Sequence, residues 1–427
     1  MTTFSAEAFQ NEFLADGSTD VHAIVTVSCT GAGQAGQSGA GQAAEMVIVD
    51  TSGSMGPEGI AAAQSAAAAA LDQVIDGTWF AIIAGNHEAR LAFPTDAREL
   101  GMVRMSPAAR AAARAAIGWL APNGGTAMGT WIQLGAAIFD SVPGLTQRHA
   151  ILLTDGKNQH EAPFELDQRL ATAVGRFQCD CRGVGADWEV GELRRIAAAL
   201  MGTVDLIPTP DQMAAEFESL MRAAMSRGVA AADLRVWAPQ GAQVLFVRQV
   251  APSVEDLTGR RREVNPLTGA YPTGSWGDES RDFHVAVRLP AARGVGQEQL
   301  AARVQLAVGD AVEAQALVKA KWSDDSALTA QINPEVAHYT GQTELAEAIQ
   351  EGLAAKAAGD ETTATAKLGR AAQLAAETGN EDATAKLRKV VDIEEPGTGK
   401  VRLRKSVDRL DEMALDTAST KTSRVRR

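Results

Sequence analysis

Two hydrophobic rhythms run along the chain. From residue 46 to about 226, short apolar runs such as "MVIVD", "TWFAIIAG", "HAILLTD" and "QCDCRGVG" alternate with segments of helical spacing. Those segments lie near residues 60–76, 107–118, 128–141, 163–175, 189–200 and 210–226. Apolar strands alternating with helices of this length predict a parallel sheet covered on both faces, a doubly wound α/β domain over residues 44–226. The period then changes: "ADLRVWAP", "AQVLFVRQV", "RDFHVAVRLP" and "AARVQLAV" alternate every second residue between turn-rich stretches. Residues 227–325 are therefore expected to form an antiparallel β-sandwich.

An isolated strand at residues 21–30, "VHAIVTVSCT", would leave both edges unpaired. It is expected to join the sandwich, so residues 1–30 belong with it, 31–43 form a Gly-rich linker, and the α/β domain is an insertion. Apolar spacing of three and four returns over residues 340–393, which predicts a helical hairpin or three-helix unit. The remainder, residues 394–427, carries nine Lys or Arg against four acidic residues from Lys400 onward and is expected to be a disordered basic tail.

Composition narrows the function classes. The 427 residues carry a net charge of -13, which excludes a generally nucleic-acid-binding surface, because such surfaces need a basic footprint. The first residues show neither a basic region nor an apolar stretch of a signal peptide, and no apolar run is long enough to span a membrane. Three cysteines, Cys29, Cys179 and Cys181, cannot all pair, and the C-x-C spacing lacks the further ligands of a structural zinc site. These readings point to a cytoplasmic protein.

Two glycine motifs invite a nucleotide reading, and context rejects both. Gly31, Gly33 and Gly36 spell G-x-G-x-x-G, yet they lead through more Gly and Gln into a strand rather than into a helix. In "GTGK", Glu394 stands where a phosphate-cradling loop needs its first glycine, and Val401 replaces the metal-binding hydroxyl.

The chemistry collects where strands end. Ligands of an open parallel sheet sit outside the carboxyl ends of its strands. Asp50 ends one apolar strand, and "DTSGSMG" places Ser52 and Ser54 directly after it. Asp155 in "LLTDGKN" ends another, and "NGGTAMGT" presents Thr126 just ahead of a helix. Two carboxylates and three hydroxyls are thus expected to converge. Oxygen-only donors suit a hard divalent cation, with Mg²⁺ first and Mn²⁺ or Ca²⁺ as alternatives. Mainly neutral ligands leave the ion net positive, and so attractive to a partner's Glu or Asp. Met55 and Met128 flank the site and are expected to pack beneath the loops. His87 and His160 lie near strand ends without the paired spacing of a catalytic zinc site and are expected at the rim or surface.

D-x-S-x-S at Asp50, Ser52 and Ser54, the Gly-Gly-Thr loop ending in Thr126 and the Thr-Asp-Gly at Asp155 resemble the von Willebrand factor A domain over roughly residues 44–226. The resemblance implies a doubly wound, Rossmann-like fold with a metal-ion-dependent adhesion site, and protein binding without covalent chemistry. It implies direct metal contact by Ser52, Ser54 and one of Thr126 or Asp155, with water between the ion and the others. Similarity to bacterial multidomain members suggests a scaffold that accompanies phosphorylation machinery or an AAA+ ATPase, and a tail phosphorylated at Thr417, Thr420 or Thr422 would suit that setting. The competing class is a Mg²⁺-dependent phosphatase-like hydrolase with Asp50 as nucleophile. It lacks an acid or base at Ser52, two residues on, so a non-enzymatic binding module is the expectation.

Overall fold

The computed structural model describes residues 2–33, 42–95, 101–291 and 293–424. The chain divides into two compact units. Gly36 and most of the Gly-rich linker, like Arg426 and Arg427, lie outside the described residues.

The first unit contains the α/β domain. Its sheet runs Val204–Ile207, Gln178–Val184, Gln147–Thr154, Ala43–Asp50, Trp79–Gly85 and Ala89–Phe93, with Val103–Arg104 also paired to Trp79–Gly85. The first five strands are parallel. Ala89–Phe93 and Val103–Arg104 are antiparallel, an edge absent from the periodicity reading because these strands are short and carry Arg90 and Arg104. Ala43–Asp50 is buried at every position, as expected for a strand covered on both faces. From it the chain proceeds to one side of the sheet, and from its neighbour Gln147–Thr154 to the other. The strand order reverses between these two, which opens the crevice at their carboxyl ends.

Helix Gly56–Gln73 follows the first of these strands. Pro57 stands in its first turn, and its buried positions are Ile60, Ala63, Ala66, Ala67, Ala70 and Leu71. Their spacing of three and four faces the core, and the small alanines let it lie close against Met213–Met225, which contributes Phe217 and Met221 to the same cluster. At the amino end of the central strands His149 bridges Glu45, 2.7 Å from Nδ1, and Asp180, 2.9 Å from Nε2. Burial disfavours the imidazolium there, but the Glu45 charge and the two carboxylate hydrogen bonds outweigh it and push the His149 pKa up to about 9.

The second unit holds the sandwich and the C-terminal helices. One sheet orders Thr3–Gln10, Asp20–Thr30, Glu279–Arg288, Gln243–Ala251 and Glu255–Asp256. The other orders Arg262–Asn265, Thr268–Trp276, Val229–Trp237, Glu298–Val308, Ala311–Ser323 and Phe13–Ala15. Strand Asp20–Thr30 pairs with Glu279–Arg288, so the α/β domain is inserted in the sandwich. Alternation is visible in the first sheet: Val21, Ala23, Val25 and Val27 are buried while His22, Thr26 and Ser28 are not fully so.

Helices Pro334–Ala357, Glu361–Glu377 and Glu381–Val390 follow, each capped by a side chain: Asn333, Asp360 and Asn380. The expectation of a disordered tail is corrected. Val391–Glu395 pairs with Lys400–Leu403, and Arg409–Ala418 is a helix capped by Asp408. Its Leu415 is buried with Leu387, Val390 and Val401. Basic residues that suggested disorder meet acids of the same unit, Lys400 with Glu394 and Arg404 with Asp392, and Asp411 of the last helix meets Lys389. The "GTGK" stretch is the turn of that hairpin, with Gly399 at φ 70°. Among the described residues no helix is long and apolar enough to cross a membrane.

Candidate metal centre

Asp50 lies at the floor of the crevice, fully buried, with both carboxylate oxygens engaged. Oδ1 accepts from the Ser52 N–H at 2.7 Å, which forces the chain to turn tightly after the strand. Oδ2 accepts from the Thr154 hydroxyl at 2.5 Å. Above it, Ser52 Oγ and Ser54 Oγ lie 2.9 Å apart, and Ser54 Oγ donates to Asp155 Oδ1 at 2.7 Å. Ser52 is buried while Ser54 is exposed and Asp155 half-buried, so this row of oxygens climbs from the core to solvent.

Thr126 reaches the same place from a third loop. A β-carbon on Gly156 would lie 3.1 Å from Ser54 Oγ and 3.6 Å from Thr126 Oγ1, so the bare glycine keeps open the space those two hydroxyls share. Backbone bonds fasten the loops together. Gly53 N–H donates to Gly124 O at 2.8 Å, Asn123 N–H to Thr51 O at 2.7 Å, and Thr51 N–H to Gly85 O at 2.6 Å. Gly124 takes φ +74°, a left-handed conformation that favours glycine.

Electrostatics of the crevice are unfavourable for bare carboxylates. Burial raises the Asp50 pKa to about 6 although its hydrogen bonds from Ser52 and Thr154 work in the other direction. Burial also raises that of Asp155, the Ser54 hydrogen bond opposing and the Asp187 charge adding to it. Two such acids gathered with three hydroxyls form an all-oxygen donor set, which fits a hard divalent cation and offers nothing to a soft one. The five residues singled out from the sequence therefore converge: Asp50 beneath, Ser52, Ser54 and Asp155 in a row, and Thr126 across Gly156.

Several residues that shape the site carried no sequence signal of their own. Thr154 precedes Asp155 and holds Asp50. Glu161 Oε2 accepts from Gly129 N–H and Asn158 Oδ1 from Met128 N–H, both at 2.8 Å, at the start of helix Met128–Asp140. A carboxylate at that terminus satisfies open amides and complements the helix dipole, and so steadies the loop that presents Thr126. The one sequence cue is the opposite charge eight residues after Glu161, Arg169, with which it pairs. Met55 and Met128 are buried under the loops, as expected, and His87 and His160 are exposed. Cys29, Cys179 and Cys181 are all buried.

Comparisons with known proteins agree with this architecture. Residues 44–206 match the family described as von Willebrand factor type A domain, and residues 373–419 match the von Willebrand factor type A C-terminal domain. A solved von Willebrand factor type A protein from Catenulispora acidiphila is 46% identical, with 99% of this chain and 97% of that one covered and a TM-score of 0.92. The ArnB paralog VWA2 from Sulfolobus acidocaldarius is similar in fold, at 16% identity, 98% of each chain and a TM-score of 0.57. An uncharacterised protein of Synechocystis sp. is 28% identical over 269 residues, and the match spans 60% of each protein, less than two thirds of that relative's length.

Proposed function

Because the chain belongs to the von Willebrand factor type A family, we propose that its crevice is a divalent-metal adhesion site that captures an acidic residue of a protein partner. The observation that carries this reading is the row of oxygens from Ser52 through Ser54 to Asp155, set over a buried Asp50. Ser52, Ser54, Thr126 and Asp155 would hold the ion with Asp50 acting from below, Mg²⁺ being the first choice for so small a set of oxygens. When bound, the ion would supply a Lewis-acidic vertex for a carboxylate oxygen from outside. Asp50 and Asp155 together would only balance the double charge of the ion and the three hydroxyls add none, so with one carboxylate held through water the direct shell would stay net positive and receptive to a further acid.

Asp50 serves this role better than that of a phosphoryl acceptor. A nucleophilic carboxylate must present a lone pair to substrate, whereas both Asp50 oxygens accept hydrogen bonds and the side chain is out of solvent. The ordered sandwich and helices support a scaffolding role, and Cys179 and Cys181, kept as buried thiols, are consistent with a cytoplasmic setting. The tail phosphorylation idea loses support: Thr417 is buried with its hydroxyl donating to Met413 O, and the Thr422 hydroxyl donates to Val250 O.

The test is a pull-down from native lysate with Mg²⁺ or with chelator, comparing wild type with Asp50→Ala. A companion kept only by the wild type in Mg²⁺ is the expected result. Companions indifferent to both chelator and substitution would overturn the reading.

A further inference from the structure

One sandwich sheet carries a polar cavity on its outer face. Strands Asp20–Thr30 and Glu279–Arg288 are antiparallel, and their register sets Thr26 opposite Asp282 and Ser28 opposite Ser280. Residues directly opposite in such a pair point to the same face, so a carboxylate and three hydroxyls stand together. Two residues before Thr26 on that face, Ile24 packs with Val336 and Tyr339 of helix Pro334–Ala357. Beside this apolar contact lies a cavity of about 290 Å³, lined by the four polar residues with Glu335, Tyr339 and Arg424.

Asp282 is its anchor. Only 3% exposed, it is held through Oδ2, which accepts from the Tyr339 hydroxyl at 2.5 Å and meets Arg424 Nε at 3.3 Å. Oδ1 takes no partner among the described residues and is not sealed from the cavity that Asp282 lines. Buried carboxylate oxygens are normally matched by donors, so an open one marks a place for a donor from outside. Ser28 Oγ and Ser280 Oγ are 2.6 Å apart, which uses one hydroxyl proton of the pair and leaves the other to give. Arg424 rides on a segment stitched to the same unit. Thr422 N–H donates to Pro252 O at 3.0 Å, its hydroxyl to Val250 O at 2.6 Å, and His338 Nε2 to Ser423 O at 2.7 Å. Groups held in place before a ligand arrives lose less freedom on binding it.

The donor inventory selects the ligand. A carboxylate only accepts, a guanidinium only donates, and hydroxyls do both. An amine, which only donates, leaves the remaining Arg424 N–H groups unmet. Phosphate leaves Asp282 Oδ1 unmet and faces two carboxylates in the lining against one guanidinium. Neighbouring hydroxyls on one carbon frame satisfy both sides. The volume lies just under the range of about 300–1,000 Å³ for drug-sized ligands, so the occupant is small. We propose that this cavity binds a neutral polyhydroxy compound, a single sugar ring or a polyol. Vicinal hydroxyls divide between Asp282 and Arg424, and further ones meet Thr26, Ser28 and Ser280. The cavity belongs wholly to the second unit, and the proposal does not depend on the adhesion-site reading.

The experiment is saturation-transfer NMR on the full chain in EDTA, which removes coordination of a sugar by a metal ion. D-glucose, D-galactose, D-mannose, myo-inositol and glycerol are offered at about 10 mM each, a concentration that reveals weak binding. Putrescine and inorganic phosphate serve as charged comparisons. Asp282→Asn puts an amide donor where the open acceptor stood, while Thr26→Val and Ser280→Ala each remove one hydroxyl; unfolding midpoints identify the variants that keep the fold. The expected result is saturation of at least one sugar or polyol. Its affinity falls about ten-fold or more in Asp282→Asn and at least about two-fold in each hydroxyl variant. No saturation of any sugar or polyol overturns the proposal, as does a putrescine or phosphate signal without a sugar signal. Affinity within about two-fold of wild type in Asp282→Asn, or in both hydroxyl variants where Asp282→Asn does not fold, also overturns it.

Discussion

The Thr154 hydroxyl donates to Asp50 Oδ2 at 2.5 Å, across the boundary between the two strands where the sheet reverses its order. The contact ties the floor of the crevice to the strand that delivers Asp155. Thr154→Val keeps the shape and removes the donor, leaving a buried carboxylate oxygen unpartnered. Metal affinity should fall about ten-fold or more, as for other groups that orient ligands, and stability by about 2 kcal/mol. Calorimetry with Mn²⁺ and urea unfolding measure the two. Unchanged values in both would remove Thr154 from the site.

Gly156→Ala should affect the crevice without unfolding the domain. The added methyl would lie 3.1 Å from Ser54 Oγ and near Thr126 Oγ1, inside the space the two hydroxyls share. The expected outcome is about ten-fold weaker Mn²⁺ binding at an unchanged melting temperature. Wild-type affinity would mean that the ion sits elsewhere.

The His149 bridge makes stability depend on pH in a defined direction. Its folded pKa, about 9, stands above the ordinary 6.5, so the protonated form stabilises the fold. The contribution is complete below pH 6.5 and is lost as pH rises through 9. It amounts to about 3 kcal/mol. Urea unfolding at pH 6 and at pH 10 should show the loss in wild type, and His149→Gln should flatten it. An equal loss in the variant would place the titration elsewhere.

Leu415→Ala tests the ordered C-terminus. Leu415 is buried in the helical unit, and its truncation should cost about 2–5 kcal/mol. A tail without fixed structure would give no change in the unfolding midpoint.

Incubation with aryl phosphates and Mg²⁺ should give no turnover above buffer. Hydrolysis abolished by Asp50→Asn would instead establish phosphoryl transfer.

Much of the α/β architecture was legible because both hydrophobic periods are strong there, and because Asp50, Ser52, Ser54, Thr126 and Asp155 stand at strand and loop ends. What escaped depends on contacts distant in sequence. Thr154 meets Asp50 across 104 residues, and Glu161 meets Gly129 across 32. The tail misled because charge counted along the chain says nothing of where partners lie. Arg404 and Lys400 are matched by Asp392 and Glu394, brought close by a hairpin turn at Gly399. The edge strand Ala89–Phe93 was missed because one strand of five residues bearing Arg90 shows too little alternation.

The most direct measurement is a calorimetric titration of Mg²⁺ and Mn²⁺ into the full chain and into Ser54→Ala. The account predicts saturable uptake of one ion per chain, weakened on the order of ten-fold or more when the Ser54 hydroxyl is removed. No uptake by the wild type, or equal uptake by the variant, would contradict it.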